Sequence, residues 1–301
     1  MGEYTQLSRY SDGTAVKQVL DAIIFSSVFL AFTGVGMAYI SCSFQGFPVI
    51  WETLGIMFLV TYSVYNIDRK ADEEEDSINH SARYSFTSRH AKFLFISSIF
   101  AYLLAFVIAG FHGINAVIVT SIPLVCGLLY SFPWLPKGFK YRRLKEIPSV
   151  KNLVISFAWS SILALLPALI YEVSYDITML VTLIYFFLLV FVNTVVFDMR
   201  DIDGDSLSGI NTIPVMLGAE KTRFMLLSMS IVLGTGMSLI GIFRLSIPAI
   251  VVLVVGFIYT LIYVLFSDRI GGNNAICDVV ADGQFIILGC VLFVVSGLID
   301  G

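Results

Sequence analysis

Apolar residues fall along this chain in long blocks, and polar residues gather between them. Nine apolar segments run at roughly 18–41, 48–66, 91–111, 114–132, 152–171, 177–197, 222–243, 246–266 and 283–299. Most are long enough for an α-helix to cross a hydrocarbon layer about 30 Å thick. The short alternating segments of a transmembrane β-barrel are absent. The pattern predicts an all-α integral membrane protein of nine transmembrane helices. Its connections also alternate. Those at Ser43–Phe47, His112–Gly113 and Tyr171–Asp176 are short. Those at Ile67–His90, Lys137–Lys151, Asp198–Lys221 and Ser267–Asp282 are long and charged. The long polar material therefore collects at one end of the bundle, and long loops in a compact domain tend to be functional.

Composition supports the membrane reading. Of 301 residues, 57% are hydrophobic and 13% charged, against about 25% charged in a soluble domain. Mean hydropathy is +0.88. Residues 1–301 read as one transmembrane domain. With the N-terminus in the cytoplasm and nine spans, every one of the 18 basic residues except Arg244 falls on the inner side. That is a strong positive-inside signal. It places the chain in the cell membrane as a multi-pass protein, with its N-terminus and charged loops cytoplasmic and its C-terminus outside. The polar first 17 residues and the absence of a cleavage site argue against a cleavable signal peptide. Cys42, Cys126, Cys277 and Cys290 lack metal-ligand spacing and read as small core residues. No Ser/His/Asp arrangement, zinc motif, phosphate-cradling glycine loop or nucleic-acid module stands out.

Candidate chemistry lies in two acidic clusters, each where an apolar segment ends. The first is Asp68-x-x-x-Asp72-x-x-x-Asp76 and the second Asp198-x-x-Asp201-x-x-x-Asp205. Carboxylates three or four apart on a helix share one face, where their repulsion is costly unless cations bind. Both clusters belong to the inner side, so they can converge. Mg²⁺ prefers hard oxygen ligands and typically takes one or two carboxylates plus substrate phosphates. The clusters therefore read as paired metal sites forming a diphosphate trap, with all six aspartates as metal ligands. Asp203 falls off the second stripe, and Gly204 is placed to break the helix there. Acids near the bilayer boundary suggest function, since an Asp at depth costs about 2.5–3.5 kcal/mol. Arg83, Arg89 and Lys92 follow the first cluster, and Lys140, Arg142, Arg143, Lys145 and Lys151 crowd another inner loop. Such cations would stabilise a departing diphosphate. The 25 Phe and 14 Tyr offer aromatic faces that could stabilise a carbocation. Asp278-x-x-x-Asp282 mimics the motif and reads as loop structure.

At these residues the chain resembles the UbiA superfamily of intramembrane prenyltransferases. The family's pattern after helix two is matched by Asp68, Asp72 and Asp76, with Asp68 where Asn is commoner and Asn66 two residues earlier. Its pattern after helix six is matched by Asp198, Asp201 and Asp205, followed by the tail Gly209–Gly218 with Thr212-Ile213-Pro214-Val215. The Tyr-Ser after helix four is Tyr130-Ser131. The resemblance spans the whole chain. It implies a bundle around a central cavity capped by cytoplasmic loops, with Mg²⁺ bridging the aspartates and a prenyl diphosphate. It implies transfer of the isoprenyl group to a lipophilic acceptor within the bilayer, through an allylic carbocation. Asp72 and Asp198 are then essential for catalysis, with Arg83 and Lys145 as electrophilic helpers. Asn66, Arg83, Lys92, Lys140, Lys145 and Tyr130 would contact the diphosphate, and Lys140 and Lys151 rival Lys145.

Two questions stay open at this level. The acceptor is an aromatic ring, a glycerol-phosphate lipid hydroxyl or another polyprenyl chain, and the second motif leans towards the lipid. A membrane transporter with acidic cation or metabolite sites is the alternative class. Against it, the acids sit at one side rather than the midplane, and Pro123 and Pro167 are single interruptions rather than paired breaks.

Overall fold

The computed structural model describes residues 15–71, 81–133, 136, 143–147, 149–207, 210–267 and 274–300. Among these residues there is no strand, and long helices make the fold. In a bilayer only a helix satisfies its own backbone donors and acceptors along a single crossing segment. The helices are α1 (Ala15–Phe25), α2 (Val28–Phe44), α3 (Trp51–Ala71), α4 (Ser81–Gly110), α5 (Ile114–Ser131), α6 (Val150–Ile170) and α7 (Ile177–Arg200). Two short ones follow, α8 (Ile202–Leu207) and α9 (Ile213–Leu217). The last three are α10 (Ala219–Arg244), α11 (Ile247–Leu265) and α12 (Asn274–Asp300).

Among the described residues, seven helices are long and apolar enough to span a membrane, and the bent pair α1–α2 makes an eighth. Helix α3 has 21 residues but is less apolar than the others and falls short of the same measure. The protein is therefore an all-α, multi-pass membrane bundle. Three elements depart from the sequence reading. The first apolar segment breaks at Ser26–Ser27 and bends by 61°. Ser27 there takes a left-handed φ of 67°. The charged stretches before 91 and before 283 are helical rather than loop. α4 begins at Ser81 and α12 at Asn274, because a helix end can continue into water once its apolar turns are anchored.

Neighbours in sequence pack as neighbours in space, and α12 closes the ring against α2. Helices α6 and α7 are the most buried spans and pack on each other and on α2. Lipid tails are as apolar as leucine, so helix association relies on close packing and interhelical hydrogen bonds. Both appear. Ser41 donates to the Leu163 carbonyl at 2.5 Å, Tyr102 to the Thr120 carbonyl at 2.7 Å, and Tyr62 pairs with Ser97 at 2.7 Å. The α2–α12 seam depends on Gly36, where an added Cβ would lie 2.4 Å from the Phe285 carbonyl oxygen. Backbone cannot swing aside as a side chain can. Replacing Gly36 with Val is expected to lower stability by about 1–3 kcal/mol through overpacking, read as a lower melting temperature in detergent. An unchanged melting temperature would mean the seam is not tight.

Candidate active site

One end of the bundle carries an open-mouthed cavity of about 310 Å³. Acids and bases ring its mouth and aromatic and aliphatic side chains form its depth. Antiparallel helix alternation brings the ring together. The C-terminal ends of α3, α5 and α7 meet the N-terminal ends of α4, α6 and α12 at the same level.

From α3 comes Asp68, which lines the cavity and accepts a hydrogen bond from Ser131 Oγ at 2.8 Å. The adjacent Tyr130 lines the cavity itself and is only 8% exposed. The Tyr130-Ser131 pair thus ends α5 with one side chain facing the cavity and the other holding an acid. Arg83, in the first turn of α4, also lines the cavity. Arg69 braces the bend. Its Nη1 donates to the Phe25 carbonyl at 2.6 Å and to Ser27 Oγ at 2.8 Å.

The second cluster is less regular than its spacing suggests. Helix α7 stops at Arg200, and Asp201 is its cap. Chain direction changes there, not at Gly204, which lies inside α8. Asp201 and Asp205 still line the cavity together. Asp201 receives both guanidinium arms of Arg200, at 2.9 and 2.8 Å, and that guanidinium stacks 5.0 Å above the Phe197 ring. Asp205 is buried, and its Oδ2 has no hydrogen-bond partner. Its own carbonyl accepts from Ile210 N at 2.9 Å, which ties α8 to the Thr212–Gly218 tail. Asp203 is exposed, as the stripe requires.

Asp198 does not line the cavity. It is 1% exposed, and both its oxygens are taken: Oδ1 by Lys151 Nζ at 2.8 Å and Oδ2 by Asn152 Nδ2 at 2.8 Å. Lys151 does line the cavity, so Asp198 holds a cation at the wall. Burial pushes the Asp205 carboxyl up to about 6, Asp198 and Asp201 push it the same way, and Lys151 and the Thr212 hydroxyl draw it down.

The remaining sequence candidates fall as follows. Asn66 is buried and donates to the Ser26 and Tyr62 carbonyls at 3.1 and 2.8 Å, bracing the bend beside Arg69 rather than lining the cavity. Lys92 is exposed on α4 and away from the cavity wall. Lys145 lies in the short 3-10 turn Leu144–Glu146. Asp72, Asp76 and Lys140 lie outside the described residues. Among the described residues, no three His, Cys, Asp or Glu side chains are grouped to hold a metal ion.

Among the cavity residues missed from sequence, four bear on the site's polar chemistry. Asp282, read there as loop, rides on α12 and lines the cavity. Arg200 looked like one basic residue among many. Asn193 and Thr194 looked like polar interruptions of an apolar helix. Asn193 is the hub of a buried network. Its Nδ2 donates to the Ala281 carbonyl at 2.9 Å, and its Oδ1 accepts from Gln284 Nε2 at 2.8 Å and from Tyr263 Oη. Thr260 Oγ1 donates to Gln284 Oε1 at 3.3 Å. This network pins α7, α11 and α12 behind the site, and a satisfied polar network rigidifies its surroundings. The signal for it was the presence of Asn193 and Gln284 inside long apolar runs.

A polar mouth of carboxylates and cations over a greasy, aromatic-lined depth is the chemistry of a site for an amphiphile in a membrane protein. The chain belongs to the UbiA prenyltransferase family, whose model matches residues 27–295. It is 30% identical over 176 residues to digeranylgeranylglyceryl phosphate synthase of Methanosarcina mazei, an alignment covering 57% of each chain. The matched stretch thus spans just over half that relative's length. The fold is similar to that of a UbiA homolog from Aeropyrum pernix K1, at TM-score 0.66 and 15% identity over 88% of this chain and 97% of that one. It is also similar to a UbiA homolog from Archaeoglobus fulgidus bound to GPP and Mg²⁺, at TM-score 0.64 and 15% identity over 90% and 99%.

The Lys151–Asp198 pair gives a direct test of this geometry. Removing one partner of a buried ion pair costs about 3–5 kcal/mol, because a buried charge is left alone. Lys151 keeps 30% side-chain exposure, so Lys151→Met is expected near the lower end of that range. The double variant with Asp198→Leu should recover part of the loss. Denaturation in detergent reads both, and a single variant as stable as the parent would mean the pair is not buried in the membrane protein.

Proposed function

We propose that this chain transfers an isoprenyl group from a prenyl diphosphate to the hydroxyl of a glycerol-phosphate lipid in the bilayer, with Mg²⁺. The observation that carries this reading is the gathering of Asp68, Asp201 and Asp205 with Arg83, Lys151 and Arg200 around one apolar cavity, where Asp205 Oδ2 is buried. A carboxylate oxygen left bare in a buried site fits a hard cation. Asp68, Asp201 and Asp205, with Asp72 and Asp76, would hold the metal. Mg²⁺ would supply charge neutralisation for the diphosphate. It would be expected to draw Asp205 into its ionised form.

The protein's own residues do the rest. Lys151, Arg83 and Arg200 present positive charge where negative charge builds on the leaving diphosphate, the arrangement that lowers such a barrier most. Lys151 takes the part that sequence alone gave to Lys145, with Asp198 and Asn152 fixing its ammonium group. As the allylic C–O bond breaks, the carbocation meets the aromatic lining of Tyr65, Trp159 and Phe197. Tyr65 and Trp159 stack with ring centroids 6.0 Å apart, and ring faces attract cations. The apolar walls withhold water that would quench it. A new C–O bond then forms with the acceptor oxygen, whose proton passes to the departed diphosphate. The lipid acceptor is supported by the 30% identity to the Methanosarcina mazei synthase and by the form of the second aspartate motif. Family membership and the one-ended placement of the acids support a transferase over a transporter. The full proposal has nine spans, α3 included, with the cavity mouth towards the cytoplasm.

Purified protein in nanodiscs is to be given Mg²⁺, prenyl diphosphates of increasing length and a panel of acceptors, with products identified by mass spectrometry. The expected product is an ether-linked glycerol-phosphate lipid. An alkylated aromatic ring instead would overturn the acceptor, and no Mg²⁺-dependent product with any pair would overturn the reading.

A further inference from the structure

Asp282 lines the cavity from α12 but stands apart from the acids of the mouth. It lies inside the apolar span Val279–Ile299, where a carboxylate is costly and marks function by default. Its turn of helix is held from behind. Tyr259 Oη donates to the Val280 carbonyl at 2.9 Å, and Asn193 Nδ2 to the Ala281 carbonyl at 2.9 Å. Gln284 Nε2 donates to Asn193 Oδ1 at 2.8 Å. Gly283 faces α2, where an added Cβ would lie 3.5 Å from Phe29 Cζ. With its neighbours committed to α11, α7 and α2, Asp282 is the residue of that turn that faces the cavity, and Phe285 lines it three positions on.

The same contacts set its depth. Asn193, which grips the neighbouring carbonyl, is eight residues inward of Asp201 along the chain, or ~12 Å along a helix axis. Helix α12 runs inward from the mouth, so its side chains lean back towards the mouth. The Asp282 carboxylate therefore lies at about the level of Asn193 and Thr194, which line the cavity with it. Mg²⁺ holds its oxygens at ~2.1 Å, so a carboxylate that far below Asp201 cannot share an ion with it. Among the described lining residues, Asp282 is the one acid inward of the mouth.

Resting on the prenyltransferase reading above, we infer that Asp282 receives the acceptor's hydroxyl group and takes its proton as the ether forms. A diphosphate held at the mouth extends inward through its bridging oxygen, which brings the allylic carbon down towards the layer of Asp282. A hydroxyl bound there meets that carbon from the inner side. As the allylic C–O bond breaks, its electron pair leaves with the diphosphate. The acceptor oxygen supplies the pair for the new C–O bond, its O–H pair stays on oxygen, and the proton moves to Asp282. The carboxyl then passes that proton to the departed diphosphate, which restores the carboxylate. A lipid hydroxyl is a weak nucleophile, and a base positioned for its proton contributes about 10²–10⁴ in rate.

The test uses the full protein in nanodiscs with Mg²⁺, geranylgeranyl diphosphate and a monoalkylglycerol phosphate with a free hydroxyl. Asp282→Asn keeps the side chain's shape and removes its basicity. It is expected to lower kcat/KM for the acceptor by about 100-fold or more, while Mg²⁺-dependent binding of an inert prenyl thiolodiphosphate stays as in the parent. Prenyl alcohol, formed when water captures the cation, should rise relative to the ether. Asp282→Glu, which keeps the base on a longer arm, should recover part of the ether yield. Ether formation at the parental rate in Asp282→Asn would overturn the inference. So would loss of thiolodiphosphate binding in that variant, which would place Asp282 among the groups that hold the donor or the bundle. A Glu variant no better than the Asn variant would count against a base. A parent that forms no ether with Mg²⁺ would defeat the underlying function instead.

Discussion

A lysine and an aspartate held 2.8 Å apart near the mouth of the cavity set the terms for the rest of the site. Taken singly, either charge would be costly near the bilayer boundary. Together, with Asn152 occupying the second carboxylate oxygen, they are satisfied at the junction of α6 and α7. The pair does more than offset its own burial. It fixes the Lys151 ammonium at the cavity wall and leaves Asp205 facing positive charge on one side and carboxylates on the other. Arg200 and Asp201 repeat the device one turn on. The polar mouth is thus a lattice of mutually held charges on helix ends.

Packing behind the mouth serves that lattice. Close contact at Gly36 draws α12 against α2, which brings Asp282 and Phe285 to the cavity. The Asn193 network ties α7, α11 and α12 by hydrogen bonds that a loosened bundle would lose. Arg69 and Asn66 grip the bend between α1 and α2, so Ile24 of α1 reaches the cavity. A site built on helix ends held in this way keeps its geometry while an amphiphile enters and leaves, which positional catalysis demands.

Much of this was legible in the sequence, for physical reasons. Bilayer thickness forces apolar runs of fixed length, so the helical, multi-pass class could be read directly. Aspartates at helical spacing carried Asp68, Asp201 and Asp205 to the cavity, and Tyr130 and Arg83 came with them. The limits are equally physical. Hydropathy marks where lipid begins but not where a helix ends, so α4 and α12 start earlier than their apolar runs and Asp282 was taken for loop. Spacing cannot say which carboxylate an adjacent lysine will claim, so Asp198 read as a metal ligand although its oxygens bind Lys151 and Asn152. Three lysines in one inner stretch look alike until α6 begins at Val150 and puts Lys151 in its first turn. The bend at Ser27 depends on a left-handed residue that no composition signal marks.

The central claim is that this cavity holds a metal-bound diphosphate between its acids and bases. The most direct test is calorimetric binding of an inert prenyl thiolodiphosphate to the purified protein, with and without Mg²⁺, and to Asp205→Asn. The account predicts binding only with Mg²⁺, weakened about tenfold or more in the variant, as for the loss of one charge-assisted contact. Equal binding without Mg²⁺, or an Asp205→Asn variant that binds as the parent does, would contradict it.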